Sequence, residues 1–252
     1  MLLMLGILTL IYFIALFAIC MYRHHINVKI CDLLFVLADL VFFFCWNFAG
    51  YQQGWLDDGW ITLDNISPFI FTLIPLTFLL KDKYKHACYC AIAFLSVGMF
   101  FALLVSPEQA YLSNFNTEAS FIYTSEAACH LLASLYGFYL VLTDRVKPNF
   151  SSWLRSIGVM YGVITLGVVL NFIFHKSFFG MDPYGNASIY FFDIFGSFWA
   201  TLAAYYLSVA VVLTAGMQAS YFIDKLTAKF AIEPKEESEA AEQTTEQETF
   251  LV

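Results

Sequence analysis

Within the apolar stretches of this 252-residue sequence only a handful of side chains could do chemistry. Glu126 and His130 stand four residues apart, which puts both on one face of a helix. An imidazole titrates near neutrality, so it can take a proton from a hydroxyl and return it. Thr72, between Pro68 and Pro75, offers that hydroxyl on a distorted helix whose freed amides would face an oxyanion. Asn171 completes the set as a supporting amide. Cys129 is a second possible nucleophile, but adjacent helical residues point about 100° apart, so it should not face His130. Asp32 and Asp39 lie seven apart on one face of another segment and could form a proton or cation path. The plainer alternatives are that the Glu126/His130 pair bonds neighbouring helices, that Thr72 only packs, and that Asp39 pairs with Asn171, His130 or a backbone defect.

These residues need elements to hold them, and the composition says which kind. Hydrophobic residues make up 60 % of the chain and charged ones 13 %, against roughly 45–50 % and about 25 % in ordinary soluble domains. Soluble globular, disordered, nucleic-acid-binding and disulfide-scaffold classes are thereby excluded. Apolar runs long enough for a ~30 Å hydrocarbon layer fall near residues 1–22, 29–49, 61–80, 86–105, 124–143, 154–174 and 190–216. The expected fold is all-α, a polytopic membrane bundle of seven transmembrane helices. The third run is the shortest, and its two prolines bend or break a helix.

Charge sets the expected orientation. Eleven of the twelve basic residues follow the odd-numbered spans, and only Lys176 is opposite. Cytoplasmic loops carry Lys and Arg in excess, which puts the N-terminus outside and the C-terminus in the cytoplasm. The first run lacks a basic leader and ends at Arg23, so it reads as a retained helix rather than a signal peptide. The net charge of −8 belongs to the end of the chain, because seven of twenty acids lie after residue 230. Residues 1–222 are expected to form the membrane domain, and 223–252 an acidic, disordered cytoplasmic tail. Trp46, Trp55, Trp60, Tyr111, Tyr123, Trp153 and Tyr184 fall near span ends, as an interfacial aromatic belt would.

The six cysteines lie in or beside spans and imply no disulfide framework, and Cys88-Tyr89-Cys90 has the wrong spacing for a zinc knuckle. No cofactor or metal is expected. Asn65 and Asn186 match the glycosylation pattern close to the membrane. Counting ~1.5 Å per residue from the outer ends puts Thr72 and His130 roughly 8–9 Å deep, Asn171 roughly 5 Å and Glu126 roughly 3 Å. Asn47 and Asp193 lie near the same edge. The expectation is a cavity open to the outer leaflet, with His130 at its floor and Glu126 orienting it.

Three stretches resemble the YwaF-like integral membrane proteins, a bacterial group similar to a eukaryotic polytopic acyltransferase of ether phospholipids. They are Ser67-Pro68-Phe69-Ile70-Phe71-Thr72, then Ala128-Cys129-His130-Leu131-Leu132, then Asn171 with Asp182-Pro183, Ala187-Ser188 and the run Asp193 to Trp199. The resemblance covers about residues 65–205 and puts Thr72 where that family has a Cys nucleophile and His130 where it has its His. Ile70 stands for a family His and Ser197 for a Pro, so cysteine chemistry is absent there. The resemblance implies a multi-pass protein of a bacterial plasma membrane acting on lipid acyl esters, with membrane lipids as partners. Oligomeric state is left open, and no soluble partner is evident. The competing expectations are a small-solute or ion-coupled transporter using Asp39, and a seven-helix sensor. No internal repeat is visible, and neither a retinal lysine in the last span nor a receptor-type Asp-Arg in the third is present.

Overall fold

In the computed structural model, residues 2–52, 66–105, 120–175, 178–181 and 196–232 are described. They form α1 (Leu2–Tyr22), α2 (Val28–Gln52), α3 (Ile66–Leu79), α4 (Asp82–Val105), α5 (Ser120–Leu142), α6 (Phe150–Phe174) and α7 (Phe198–Ala228), with a short 3-10 turn at Phe178–Gly180 after α6. No strand occurs among the described residues. Four helices, α4 to α7, are long and apolar enough to cross a membrane.

Local chemistry accounts for several boundaries. Asn149 caps α6 by accepting from Ser152 N at 3.0 Å, which satisfies one of the amides that a helix start leaves open. His175 ends α6 in the left-handed conformation (φ 52°), and Phe179 repeats it (φ 57°), so the chain turns back sharply. α3 is one unbroken helix with Pro75 inside it. Of the bend or break expected from the prolines, the break is absent, because a helix tolerates proline where neighbouring helices hold it in place. α7 runs to Ala228, twelve residues beyond the expected end at 216. Asp224, in that extension, is neutralised by Arg23 at 2.8 Å, which also ties the last helix to the end of the first.

α4 and α5 form the centre. Their apolar windows are 61 % and 78 % buried, against 28 % and 17 % for α6 and α7. α4 packs on α3, α5, α6 and α7, while α5 also packs on α1 and α2. Close approach of α4 and α7 depends on glycine. A Cβ on Gly98 would lie 2.6 Å from Val212 O, and one on Gly216 would collide with Phe94 O. The peripheral helices turn Leu10, Phe17, Phe44, Leu166, Ile173 and Leu207 outward. An apolar exterior around an apolar core is what a lipid solvent permits and water does not.

Contacts also fix which helix ends lie together. Tyr139 OH donates to Val28 O at 3.1 Å, joining the end of α5 to the start of α2. Arg145, in the α5–α6 turn, reaches both α2 and α4. Ile232 N donates to Met21 O at 2.9 Å. The basic residues at these ends therefore gather at one end of the bundle, called the basic end below. The 1–222 and 223–252 division falls inside α7, and the acidic stretch 233–252 lies outside the described residues, as do Trp55, Trp60, Tyr111, Tyr184, Lys176, Asn65, Asn186 and Asp193.

Candidate functional site

His130 sits on α5 with its Nδ1 2.8 Å from the carbonyl oxygen of Glu126, one turn earlier. The expected pairing through the Glu126 side chain is thus replaced by a main-chain contact: the carbonyl of residue i−4 already lies along the ring. The imidazole is packed edge-on to Phe71 (5.2 Å between ring centres) and beside Trp46 (6.2 Å). It lines a small cavity with Ile70, Phe71, Ser96, Met99, Phe100 and Ala133, which has room for about one water molecule.

Thr72 is not part of that lining. Its hydroxyl turns back along α3 towards Pro68 O at 3.5 Å, and Phe71 presents its ring to His130 instead. A helix rotates about 100° per residue, so facing Phe71 to α5 turns Thr72 aside. Pro75 does not supply oxyanion donors either. Lacking an N–H, it leaves the Phe71 carbonyl without its helical partner, which is an acceptor and not a donor.

Asn171 is fully buried and occupied. Its Nδ2 donates to Phe178 O at 3.0 Å and to Met181 O, and its Oδ1 accepts from Phe178 N at 2.6 Å. It clamps the turn after α6, and Phe179 from that turn lies over Gly167 and against Phe69 of α3. Of the four residues expected to converge, Glu126 and His130 meet through the main chain of α5, Thr72 of α3 is turned away behind Phe71, and Asn171 of α6 is taken up by the turn that follows its own helix. Asn47 donates to Phe43 O on its own helix at 2.7 Å and adds nothing to the cavity. Trp46, expected at an interface, is 6 % exposed, because α2 continues to Gln52 and carries it six residues inside the helix.

The two aspartates of α2 have opposite fates. Asp32, at the basic end, is held by Arg145 Nη1 (3.1 Å), Tyr89 OH (3.3 Å) and Tyr136 OH (3.4 Å). Arg145 Nη2 also donates to Tyr89 OH at 3.1 Å. Burial works against the Arg145 charge, but the Asp32 carboxylate and the Tyr89 hydroxyl outweigh it and hold its pKa above the ordinary value. α2, α4, α5 and the α5–α6 turn are thereby knotted together. Asp39, two turns further in, is 0 % exposed, and neither of its carboxylate oxygens has a hydrogen-bond partner. It pairs with neither Asn171 nor His130. Cys129 of α5 lies within electrostatic reach of Asp39, Glu126 and Cys45. Cys129 itself is fully buried, and all six cysteines are free thiols.

Sequence reasoning missed Tyr89, Tyr136 and Ser96. Tyr89 and Tyr136 come to Asp32 only because α4 and α5 cross α2 there. Ser96 is 2 % exposed with an unpartnered Oγ, and nothing in its local sequence marks it. Among the described residues, no group of three or more His, Cys, Asp or Glu side chains could hold a metal ion.

The fold and these polar groups define a helical bundle with four candidate membrane-spanning helices and with ionisable side chains buried on α2 and α5, which pack together. No family model matches the chain, and neither does any curated protein or solved structure. Function is therefore read from the geometry.

Proposed function

We propose that the protein is a membrane carrier of small solutes coupled to an ion, with Asp39 as the residue that takes up and releases the ion. The observation that carries this reading is the Asp39 carboxylate, fully buried at mid-helix with both oxygens unpartnered. Leaving a buried polar group unpaired costs on the order of 1–3 kcal/mol, and a charged one more. Intramembrane acids that persist at such a cost mark ion pathways. The Asp32, Arg145, Tyr89 and Tyr136 knot closes the basic end below Asp39, as one shut gate of an alternating-access device would. Counterflow in proteoliposomes tests it, with labelled amino acids, sugars and carboxylates as candidate solutes. At least one should accumulate with the wild type, and Asp39→Asn should abolish that accumulation while Thr72→Ala keeps it. Accumulation that persists in Asp39→Asn, or none with any solute, rejects the reading.

Acyl-ester chemistry at the outer leaflet of a bacterial plasma membrane is the second reading, favoured by one observation. His130 has Nδ1 engaged and lines a cavity, which leaves Nε2 as the atom to act as base. That reading, with Thr72 as nucleophile and a YwaF-like kinship, requires α3 to rotate and the cavity to open, since about one water fits now. A lipid-like fluorophosphonate whose labelling is lost in both Thr72→Ala and His130→Ala would support it; labelling unchanged in both, or none, counts against it.

A further inference from the structure

The surroundings of Asp39 point to the identity of the ion, an inference that rests on the carrier reading. A bare metal cation in a membrane interior must replace its water shell with several oxygen donors, six or more for calcium and near-ideal octahedral sets for magnesium. α2 offers Asp39 nothing of the kind, since its buried neighbours on that face are Val36 and Trp46, with Asp32 already committed to Arg145. α5 brings the Cys129 thiol within electrostatic reach, a soft group that does not suit a hard cation. α3 brings Ile70, Phe71 and Ile74 to the same buried cluster. Main-chain carbonyls of these helices are spent on their own ladders, apart from the one that Pro75 frees on Phe71. Neither Asp39 oxygen has a hydrogen-bond partner, so among the described residues the site supplies one carboxylate and no second oxygen within hydrogen-bond reach of it.

We propose that the ion carried by Asp39 is a proton. Binding forms an O–H bond on one carboxylate oxygen and leaves a neutral acid; release breaks that bond and returns the proton to water, with no redox change. A proton needs only the one carboxylate, and by neutralising it removes the cost of a buried charge, which a cation of the same charge without ligands cannot do.

The titratable groups facing Asp39 are few. On α2 they are Cys45 and, two turns away, Asp32 paired to Arg145. On α5 it is Cys129, which is itself within electrostatic reach of Glu126, one turn earlier on the same helix. α3, the other helix packed on α2, has no titratable side chain in its 14 residues. Among the described residues, Asp32 of α2 and Glu126 of α5 are the other acids within the helices around Asp39, so the experiment has to separate all three.

Infrared difference spectroscopy of the full chain in lipid vesicles does so, with pH stepped in choline chloride, sodium chloride or potassium chloride. Solvated acids add their own carbonyl stretch as pH falls, so the band to follow is the higher-wavenumber component of an acid without a hydrogen bond, which should disappear in Asp39→Asn and persist in Glu126→Gln and Asp32→Asn. At fixed pH it should be the same in all three salts. Should Asp39→Asn fail to fold, carbon-isotope labelling of aspartate in the wild type identifies the band by its shift. Loss of the band on adding sodium or potassium at fixed pH would overturn the proton assignment and leave the carrier reading standing. An aspartic acid band that does not change over the whole pH range in which the protein stays folded would overturn both.

Discussion

Asp39 and Asp32 show how far two identical side chains on one helix face can diverge. Asp32 meets a guanidinium and two phenols, and its side chain is 6 % exposed. Removing Arg145 would leave that carboxylate buried and unpaired, at a cost of about 3 kcal/mol, the low end for a buried pair because Arg145 is itself 24 % exposed. Chemical denaturation in detergent should register that loss for Arg145→Ala, and Asp32→Asn added to it should recover part of the loss. Equal destabilisation by the single and the double variant would mean that the two residues do not act as a pair. Asn171 makes a separate prediction. Asn171→Ala removes the side-chain partner of Met181 O and Phe178 N, while Phe178 O keeps Met181 N, a loss of about 2 kcal/mol in the same measurement, and an unchanged midpoint would refute the clamp. At this scale the sequence was only partly legible. The one-turn spacing of Glu126 and His130 does place them together, but nothing in spacing says that a carbonyl and not a carboxylate would meet the ring. Tyr89 and Arg145 lie 57 and 113 residues from Asp32, and such pairings exist only once helices cross.

Helix existence follows from apolar runs, and so the elements were the most legible part. The boundaries that shifted did so for tertiary reasons. α7 continues because Asp224 finds Arg23, and α3 stays whole because α2 and α4 support it around Pro75. Face assignment within α3 was not legible, since ISPFIFTLIPLTFL is apolar nearly all round and carries no period to say that Phe71 rather than Thr72 meets α5. The α4–α7 crossing gives the sharpest test at this scale. Gly216→Ala should part the two helices and cost about 1–3 kcal/mol. Gly158→Ala, where a Cβ meets nothing within 4 Å, should be neutral or slightly stabilising. If the two substitutions shift the unfolding midpoint alike, the close crossing is not what holds α4 to α7.

As a whole the molecule sorts its few charges by position. Among the described residues basic side chains collect at one end, Asp32 pairs with Arg145 there, and Asp39 stands without a hydrogen-bond partner in the middle of α2. Composition foretold a membrane protein with scarce intramembrane polar groups, and the chain is a helical bundle with four candidate membrane-spanning helices. Which of the polar groups would be satisfied and which left over could not be foretold, because satisfaction is a property of packed neighbours. The proposed carrier function stands or falls with Asp39 taking an ion across the membrane interior. Charge displacement by the reconstituted protein, adsorbed on a solid-supported membrane and challenged with a rapid pH step, tests that claim most directly. The account predicts a transient current in the wild type that is lost in Asp39→Asn and kept in Asn47→Ala. An undiminished current in Asp39→Asn, or none in the wild type, would contradict it.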